Sequence, residues 1–405
     1  MTQIERMFLE LIQVSLGTRD GLSRVPTARE WEALYDEAER QAIVGVLLDG
    51  IERLAVSGER LADCMPPLEV KLQWIGAVQM DEARNRDMDK ISAQMLRKFA
   101  ADGFRGCILK GQGNALMYPN PERRQSGDID IWLSPMSVSG ERLAVSEERT
   151  VSGLLRCRRE IIRYVTGRYP EMRVQLHHVD YPPVDDAEVE VHFYPIYLKN
   201  PFHHRRLLRF FAEHAEEQFA NKVTTRGGEE LTVPTPAFNA VYQMVHVYLH
   251  YLFQGVGMRH VVDYYYVLRQ VSGFKVQGSR FQVRGERLAV SGDILHQTSS
   301  IFHQLGMDKF AAAMMWVQKE VCGAPREWLL CEPDEREGRR LLDEMMAMGN
   351  FGKYDERYGT GEQKGLRFVV QKLRRMARMA VAYPLEILWD PYFRVRLMLA
   401  KRFRI

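Results

Sequence analysis

Two aspartates separated by one isoleucine are the residues best suited to chemistry in this sequence. Asp128 and Asp130 lie in the run Asp-Ile-Asp-Ile, which alternates as a strand beginning at Asp128 would. Side chains two residues apart in a strand share a face, with Cα atoms roughly 6.6 Å apart, so the isoleucines face the core. Two carboxylates at that spacing repel each other unless a cation lies between them. Mg²⁺ prefers oxygen ligands and keeps coordination positions for phosphate, so we predict that this pair holds Mg²⁺ or Mn²⁺.

A second alternating run offers a third carboxylate. In the run from Glu188 to Phe193, Glu188, Glu190 and His192 share one face and the apolar side chains share the other. If this strand lies beside the first, Glu190 completes a three-carboxylate site for two metal ions, one activating the attacking oxygen and one steadying a leaving pyrophosphate. The sequence leaves His192 as either a partner that orients Glu190 or an ordinary polar residue of that face.

Basic side chains upstream supply the opposite charge. Lys110 follows a buried run at residues 107–109, and Arg124 lies in the Pro-rich turn before Asp128. A basic group beside a metal site neutralises the charge that develops on a leaving group, so both are candidate phosphate partners. Lys110 is equally compatible with an exposed strand end. An isolated Asp-x-Asp is usually a solvated strand end, and the combination of these residues is what favours a site.

Two downstream pairs with helical spacing have plainer explanations. His246 and His250 are four residues apart and line one helical face, a spacing compatible with zinc. Because that helix has no acidic companion for them, we interpret the pair as packing or as capping the cleft. Arg259 and Asp263 are also four residues apart and predict an ordinary helix salt bridge.

The ordered run around the aspartates resembles the signature of a bacterial group of nucleotidyltransferase-like proteins in the DNA polymerase β-type nucleotidyltransferase superfamily. The resemblance covers roughly residues 103–268. Glu190-Val-His192 resembles the third-carboxylate strand of that group, and the segment from Arg259 to Asp263 resembles its R-x-x-x-D helix. The matching residues of the run are Lys110, Gly111, Ala115, Leu116, Tyr118, Pro119, Pro121, Arg124, Gly127, Asp128, Ile129, Asp130 and Ile131.

The resemblance implies a role for each matching position. Asp128, Asp130 and Glu190 would be the catalytic metal ligands, with Gly111 as the close backbone approach to phosphate. The remaining nucleotide-binding positions would be Lys110, Arg124, Gly127 and His192. The superfamily usually has Gly-Ser or Gly-Thr at the loop that cradles the triphosphate, whereas here Gln112 follows the glycine.

The expected reaction is transfer of a nucleoside monophosphate from an NTP to an acceptor hydroxyl, with release of pyrophosphate. Two alternatives stay open. The Asp-x-Asp could hold the diphosphate of a nucleotide sugar in a metal-dependent glycosyltransferase, in which Glu190 would matter much less. The altered glycine loop could instead belong to a catalytically degenerate module that binds nucleotide without turnover.

These patterns predict an α+β fold with a polymerase β-like nucleotidyltransferase core, a mixed sheet with helices, flanked by helical regions. We expect an N-terminal helical region at residues 1–100, the core at 101–235 and a C-terminal helical domain at 236–405. Apolar residues recur at helical spacing near the N-terminus, for example at Phe8, Leu11 and Ile12. Pro234 and Pro236 mark the return to helix.

Composition agrees with a globular chain of 405 residues. Apolar residues make up 46% and charged residues 27%, and the net charge is +3, which predicts no strong attraction to nucleic acid or to an anionic membrane. A basic segment at residues 366–405 leaves nucleic acid possible but not favoured, and we expect it to form a covering helix with a solvated basic face.

Five irregularly spaced cysteines without a C-x-x-C pair predict free thiols in a reducing cytoplasm. No signal peptide and no uncharged run long enough to span a bilayer is evident, which favours a cytoplasmic protein. The segment ERLAVSG occurs at residues 52–58 and 286–292, and ERLAVS at 141–146. Their unequal spacing excludes a solenoid, so we interpret them as tolerated surface insertions.

Overall fold

A computed structural model describes residues 1–56, 65–136, 150–273, 292–350 and 366–403. Residues 52–56, the start of the first ERLAVSG copy, form the end of a helix. The copy at 141–146 and residues 286–291 of the third copy lie outside the described residues, as does Cys64. The other four cysteines are free thiols: Cys107, Cys157, Cys322 and Cys331.

Residues 1–56 and 65–101 contain four helices, and capping residues in the sequence mark where the first two of them begin. Thr2 with Glu5, and Thr27 with Glu30, form capping boxes that satisfy the first backbone N–H groups of two helices. The fourth helix is 34 residues long and leads directly into the first strand. These helices are α1 (Gln3–Leu16), α2 (Ala28–Gln41), α3 (Val44–Val56) and α4 (Leu68–Ala101).

A four-stranded mixed sheet follows. Its strands are β1 (Phe104–Ile108), β2 (Ile129–Pro135), β3 (His178–Val184) and β4 (Ala187–His192). Their order is β1-β2-β4-β3, with β2 and β4 parallel and the other two pairs antiparallel. Asp185 and Asp186, both with positive φ, form the two-residue turn between β3 and β4, as residues of this type do in tight hairpins. The chain is therefore of the α+β class, with a small mixed sheet among helices.

Strand β2 is buried on both faces, which corrects the alternation predicted for it. It begins at Ile129, one residue later than predicted, and its buried residues include Asp130 and Trp132. Trp132 packs against Phe219 of α7 (Pro201–Ala220), with ring centroids 4.7 Å apart, and stacks on Phe238 of the helix that follows. Because helices cover the face that carries Asp130, that face is buried as well as the face of the isoleucines.

Other elements complete the core, and two of them were not predicted. The core also contains a short helix, α5 (Gln112–Ala115), after β1 and a longer helix, α6 (Val151–Arg168), between β2 and β3. The unpredicted elements are helix α7 and a small hairpin of β5 (Lys222–Thr224) and β6 (Glu230–Thr232).

Helices dominate the chain from Pro236 onward. They are α8 (Pro236–Phe253), α9 (Met258–Val271), α10 (Gly292–Gln304), α11 (Asp308–Cys322), α12 (Glu335–Met348), α13 (Leu366–Ala382), α14 (Pro384–Ile387) and α15 (Asp390–Phe403). Thr18 Oγ1 donates to the Cys322 carbonyl at 2.7 Å, which ties the first helix to α11. Buried apolar side chains of all three predicted regions form one continuous cluster. None of the helices in the described ranges is long and apolar enough to cross a membrane.

The basic C-terminal segment packs on the rest of the protein. Asp390, at the start of α15, forms a buried ion pair with Lys199. Phe393 stacks on Tyr197 with ring centroids 5.4 Å apart, and Arg375 donates to the Tyr251 carbonyl at 2.7 Å. The segment therefore covers α8 and the start of α7, as the sequence analysis expected of it.

Candidate functional site

The parallel register of β2 and β4 brings two of the predicted carboxylates side by side. Asp130 is the direct partner of Glu190, and His192 lies one pleat further along, opposite Trp132. His192 Nε2 is 2.8 Å from Asp130 Oδ1 and 3.3 Å from Glu190 Oε2. The three side chains form a close group whose possible ligand atoms all lie within 4.8 Å of one another. Asp128 lies just before the strand and is 32% exposed.

Lys110 bridges the two aspartates. Its Nζ is 3.1 Å from Asp130 Oδ2 and 3.4 Å from Asp128 Oδ2. Burial opposes the charge of Lys110, but the carboxylates of Asp130 and Asp128 outweigh it and raise the pKa of the ammonium above its ordinary value. The lysine is therefore an internal counter-ion of the aspartates, and the alternative of an exposed strand end does not describe it.

His192 is an imidazolium that links Asp130 and Glu190. Its Nδ1 faces the Pro195 carbonyl at 3.2 Å and its Nε2 faces the Asp130 carboxylate, so both ring nitrogens meet acceptors and both must donate. Burial opposes protonation of His192, yet the hydrogen bonds to Asp130 and Glu190 raise its pKa to about 9. Burial likewise opposes ionisation of Glu190, but His192 lowers the pKa of that carboxyl to about 2. His192 thus fixes the carboxylates in place.

Two further histidines beside this group were missed by the sequence analysis. His178 pairs with His192 across β3 and β4, and its Nδ1 is 3.4 Å from Glu190 Oε2. The ring of His177 lies 4.9 Å from that of His192. Burial is the main reason that the pKa of His177 is well below its ordinary value. The signal was present as the adjacent pair in the run VQLHHV, whose pairing partner could not be read from the sequence.

The loop after β1 depends on a glycine. Gly111 has φ +60° and ψ −109°, a backbone conformation that only glycine adopts without strain. A Cβ added there would lie 3.2 Å from the Asp128 carbonyl oxygen, so the loop passes directly beside the aspartate segment. The glycine therefore allows the backbone next to Lys110 to approach the entrance of the site.

Replacing Gly111 with Ala is expected to lower the free energy of unfolding by about 1–3 kcal/mol, because the side chain is strained at this φ and crowds Asp128. The control is Gly127→Ala, where an added Cβ meets no described atom within 4 Å and φ is not positive. Urea denaturation of both variants measures the difference. Equal stability of the two variants would contradict the strain argument.

Arg124 and Asp263 form a buried ion pair behind the loop. Arg124 Nε and Nη2 bind Asp263 Oδ1 and Oδ2, each at 2.7 Å. Tyr118 and Asn114 also donate to this carboxylate, at 2.6 and 3.1 Å. Burial raises the pKa of Asp263, but Arg124 more than offsets it, and the pKa is about 2. Asp263, for which helical spacing predicted Arg259 as partner, thus has a bidentate bond to an arginine 139 residues away.

These groups surround one cleft, between the loops that precede β2 and the helices α8 and α9. Its residues include the predicted nucleotide-binding positions Lys110, Gly111, Arg124 and Gly127, together with Asp128. The helices contribute Gln243, His246, Arg259, His260 and Asp263. Asp130 is fully buried beneath Lys110, and Glu190 lies beside it. The cleft therefore combines cationic groups with carboxylates, an arrangement that suits a phosphorylated ligand.

Comparison with known proteins shows the family to which the chain belongs. The model of a family described as uncharacterised nucleotidyltransferase matches residues 27–294, more than half of the sequence. Neither the curated proteins nor the solved structures contain a match. The matched residues include the whole mixed sheet, the cleft and helices α8 and α9. The chain accordingly belongs to this nucleotidyltransferase family.

Proposed function

We propose that this protein transfers a nucleoside monophosphate from an NTP to an acceptor hydroxyl, with release of pyrophosphate, in a metal-dependent reaction on a polymerase β-like core. The observation that carries the proposal is the parallel register of Asp130 and Glu190, with Asp128 two residues upstream and Lys110 between the aspartates. Family membership supports nucleotidyl transfer as the class of reaction.

The carboxylates are suited to a divalent cation. Asp130 Oδ2 is buried and makes no hydrogen bond of good geometry within the described residues; its contact with the Lys110 ammonium at 3.1 Å is the one that a metal ion would replace. Asp128, Asp130 and Glu190 provide the all-oxygen donor set that Mg²⁺ or Mn²⁺ prefers, and these three residues would hold the ion. When bound, such an ion would polarise the transferred phosphoryl group and the attacking oxygen.

Residues of the chain would then orient the carboxylates and neutralise the charge of the triphosphate. Lys110, at the cleft wall, is in a position to exchange its carboxylate partners for the phosphate oxygens of an entering triphosphate. His192 orients both carboxylates, because its Nε2–H donates to Asp130 at 2.8 Å and lies 3.3 Å from Glu190 Oε2. Gly111 lets backbone approach the phosphates, and Gly127 leaves room before Asp128. Arg124 lines the same cleft, with its charge paired to Asp263.

A catalytically degenerate nucleotide-binding module is the second candidate. The residue after Gly111 is Gln112, which is 3% exposed and donates to Asp89 Oδ1 at 3.0 Å. Its side chain therefore binds α4. Glutamine also has no hydroxyl group to donate to a triphosphate. The glycosyltransferase alternative is less well supported, since a diphosphate held by Asp-x-Asp alone gives no reason for Glu190 to lie in register with Asp130.

Isothermal titration with each of the four NTPs, with and without Mg²⁺, tests the proposed site. We expect binding of at least one NTP that requires Mg²⁺ and is lost in the Asp128→Ala, Asp130→Ala double variant. Binding without pyrophosphate release would favour the degenerate module. Absence of binding by any NTP would contradict the proposal, and nucleotide sugars would then be titrated.

A further inference from the structure

Three histidines converge in the helical wall of the cleft. His246 and His250 lie one turn apart on α8, and His260 lies in the first turn of α9. One ligand nitrogen of each lies within 4.8 Å of the other two. His246 Nε2 and His250 Nε2 are 3.1 Å apart and hydrogen-bonded to each other, so a metal ion would take the place of the proton between them. The third member comes from a separate helix, so spacing within α8 could reveal only two of the three.

The separation of the nitrogens matches a tetrahedral metal site. Zinc binds histidine nitrogen at about 2.0–2.1 Å, and two such ligands at a tetrahedral angle are about 3.3–3.4 Å apart. The observed 3.1 Å between His246 and His250 is within a few tenths of an ångström of that value. His246 and His260 are 8% and 4% exposed, while His250 is half-buried. The packing therefore already holds two imidazoles at ligand spacing.

The surroundings of the three imidazoles disfavour their charged forms. Burial, together with His250 and Lys110, holds the pKa of His246 well below its ordinary value. Burial and Arg259 lower the pKa of His260 to about 3. The pKa of His250 is also lowered, chiefly by burial.

A nitrogen-only group has different metal chemistry from the carboxylate site. Imidazoles favour zinc and its neighbours in the transition series, whereas Mg²⁺ prefers oxygen. The other histidine cluster, of His177, His178 and His192, is less available, because His192 uses both ring nitrogens on Asp130 and the Pro195 carbonyl. The α8–α9 cluster consists of three histidines and includes no carboxylate, so it is the candidate for a borderline cation.

We propose that His246, His250 and His260 bind one Zn²⁺-class divalent ion at a site separate from the carboxylates. Three protein ligands leave the fourth position of a tetrahedral ion for water or for an anionic oxygen of a ligand. His246 and His260 line the same cleft as Lys110 and Asp128. The inference does not depend on nucleotidyl transfer.

The test uses the full chain without a polyhistidine tag, stripped with chelator and titrated with Co²⁺ and then Zn²⁺. We expect one equivalent of Co²⁺ with the visible absorption of a tetrahedral site, displaced by Zn²⁺. Zn²⁺ affinity, measured by competition with a chromogenic chelator, should fall at least about 100-fold in His250→Gln and in His260→Gln, because each loses one of three ligands.

His178→Gln is the matched control, since it makes the same substitution in the other histidine cluster and should retain the affinity. His250 is half-buried, so its replacement disturbs packing least, and the circular dichroism of each metal-free variant checks that it is folded. The proposal is overturned if the wild-type protein binds no Zn²⁺, if folded His250→Gln keeps wild-type affinity, or if His178→Gln loses as much.

Discussion

Asp130→Asn is expected to reduce pyrophosphate release at least about 10³-fold, equivalent to about 4 kcal/mol of transition-state stabilisation. The substitution keeps the size of the side chain but removes the charge that Glu190, His192 and Lys110 are arranged around. The amide is a poor metal ligand, and its NH₂ group would face the imidazolium N–H of His192 or the ammonium of Lys110. The measurement is the rate of pyrophosphate formation with the NTP and metal that the wild-type protein prefers.

Asp180→Asn is the matched control for this prediction. Asp180 lies in β3 directly opposite Glu190, so it is as close in the sheet as Asp130 is, but it lies on the other side of that glutamate. Its side chain is 37% exposed and contacts His178 Nε2 at 3.4 Å. We expect its activity within about threefold of wild type, a change below 1 kcal/mol. Comparable losses in both variants, or substantial activity in Asp130→Asn, would count against the assigned carboxylate.

Asp263→Asn is expected to cost about 3–5 kcal/mol of stability, because it leaves the buried guanidinium of Arg124 without its counter-charge. The paired replacement Arg124→Met with Asp263→Leu removes both charges and should recover most of that loss. Urea denaturation of the two variants and the wild type measures the difference. A double variant as unstable as Asp263→Asn would show that the pair itself, rather than the orphaned charge, is what matters.

The same pair predicts an acid-sensitive contribution to stability. The pKa of Asp263 is about 2 in the folded protein, below the ordinary value of 3.8. Because folding lowers the pKa of Asp263, its ionised carboxylate stabilises the fold at pH values above 3.8, and this contribution is lost as the pH falls towards 2. A difference of this size corresponds to roughly 2 kcal/mol. We expect the stability gap between wild type and Asp263→Asn to narrow between pH 5 and pH 2.5, and a constant gap would contradict this assignment.

Local sequence patterns predicted those features of the fold that depend on neighbouring residues. The two-residue period identified the strands of Asp130 and Glu190, and the structure pairs them in register. The same period did not predict that Asp130 is buried. The aromatic side chains that cover this face of β2 are Phe219 and Phe238, about a hundred residues later in the chain. A period describes the strand that carries it and contains no information on what packs against its second face.

Long-range partners explain the other differences. Arg124 looked like a free cation in a turn, and Asp263 looked like half of a helix pair, yet each is the other's partner. The third histidine of the α8–α9 cluster was likewise invisible within the helix that holds the first two. Roles that depend on two distant segments meeting can be predicted only after the topology is known.

The position of Lys110 between Asp128 and Asp130 has a consequence for how this protein folds. Lys110 and His192 together neutralise the carboxylates from within the chain. The strands that carry them can therefore pair without a divalent ion to offset the repulsion between the carboxylates. The fold of the sheet is thus expected not to depend on any metal ion that the carboxylates bind.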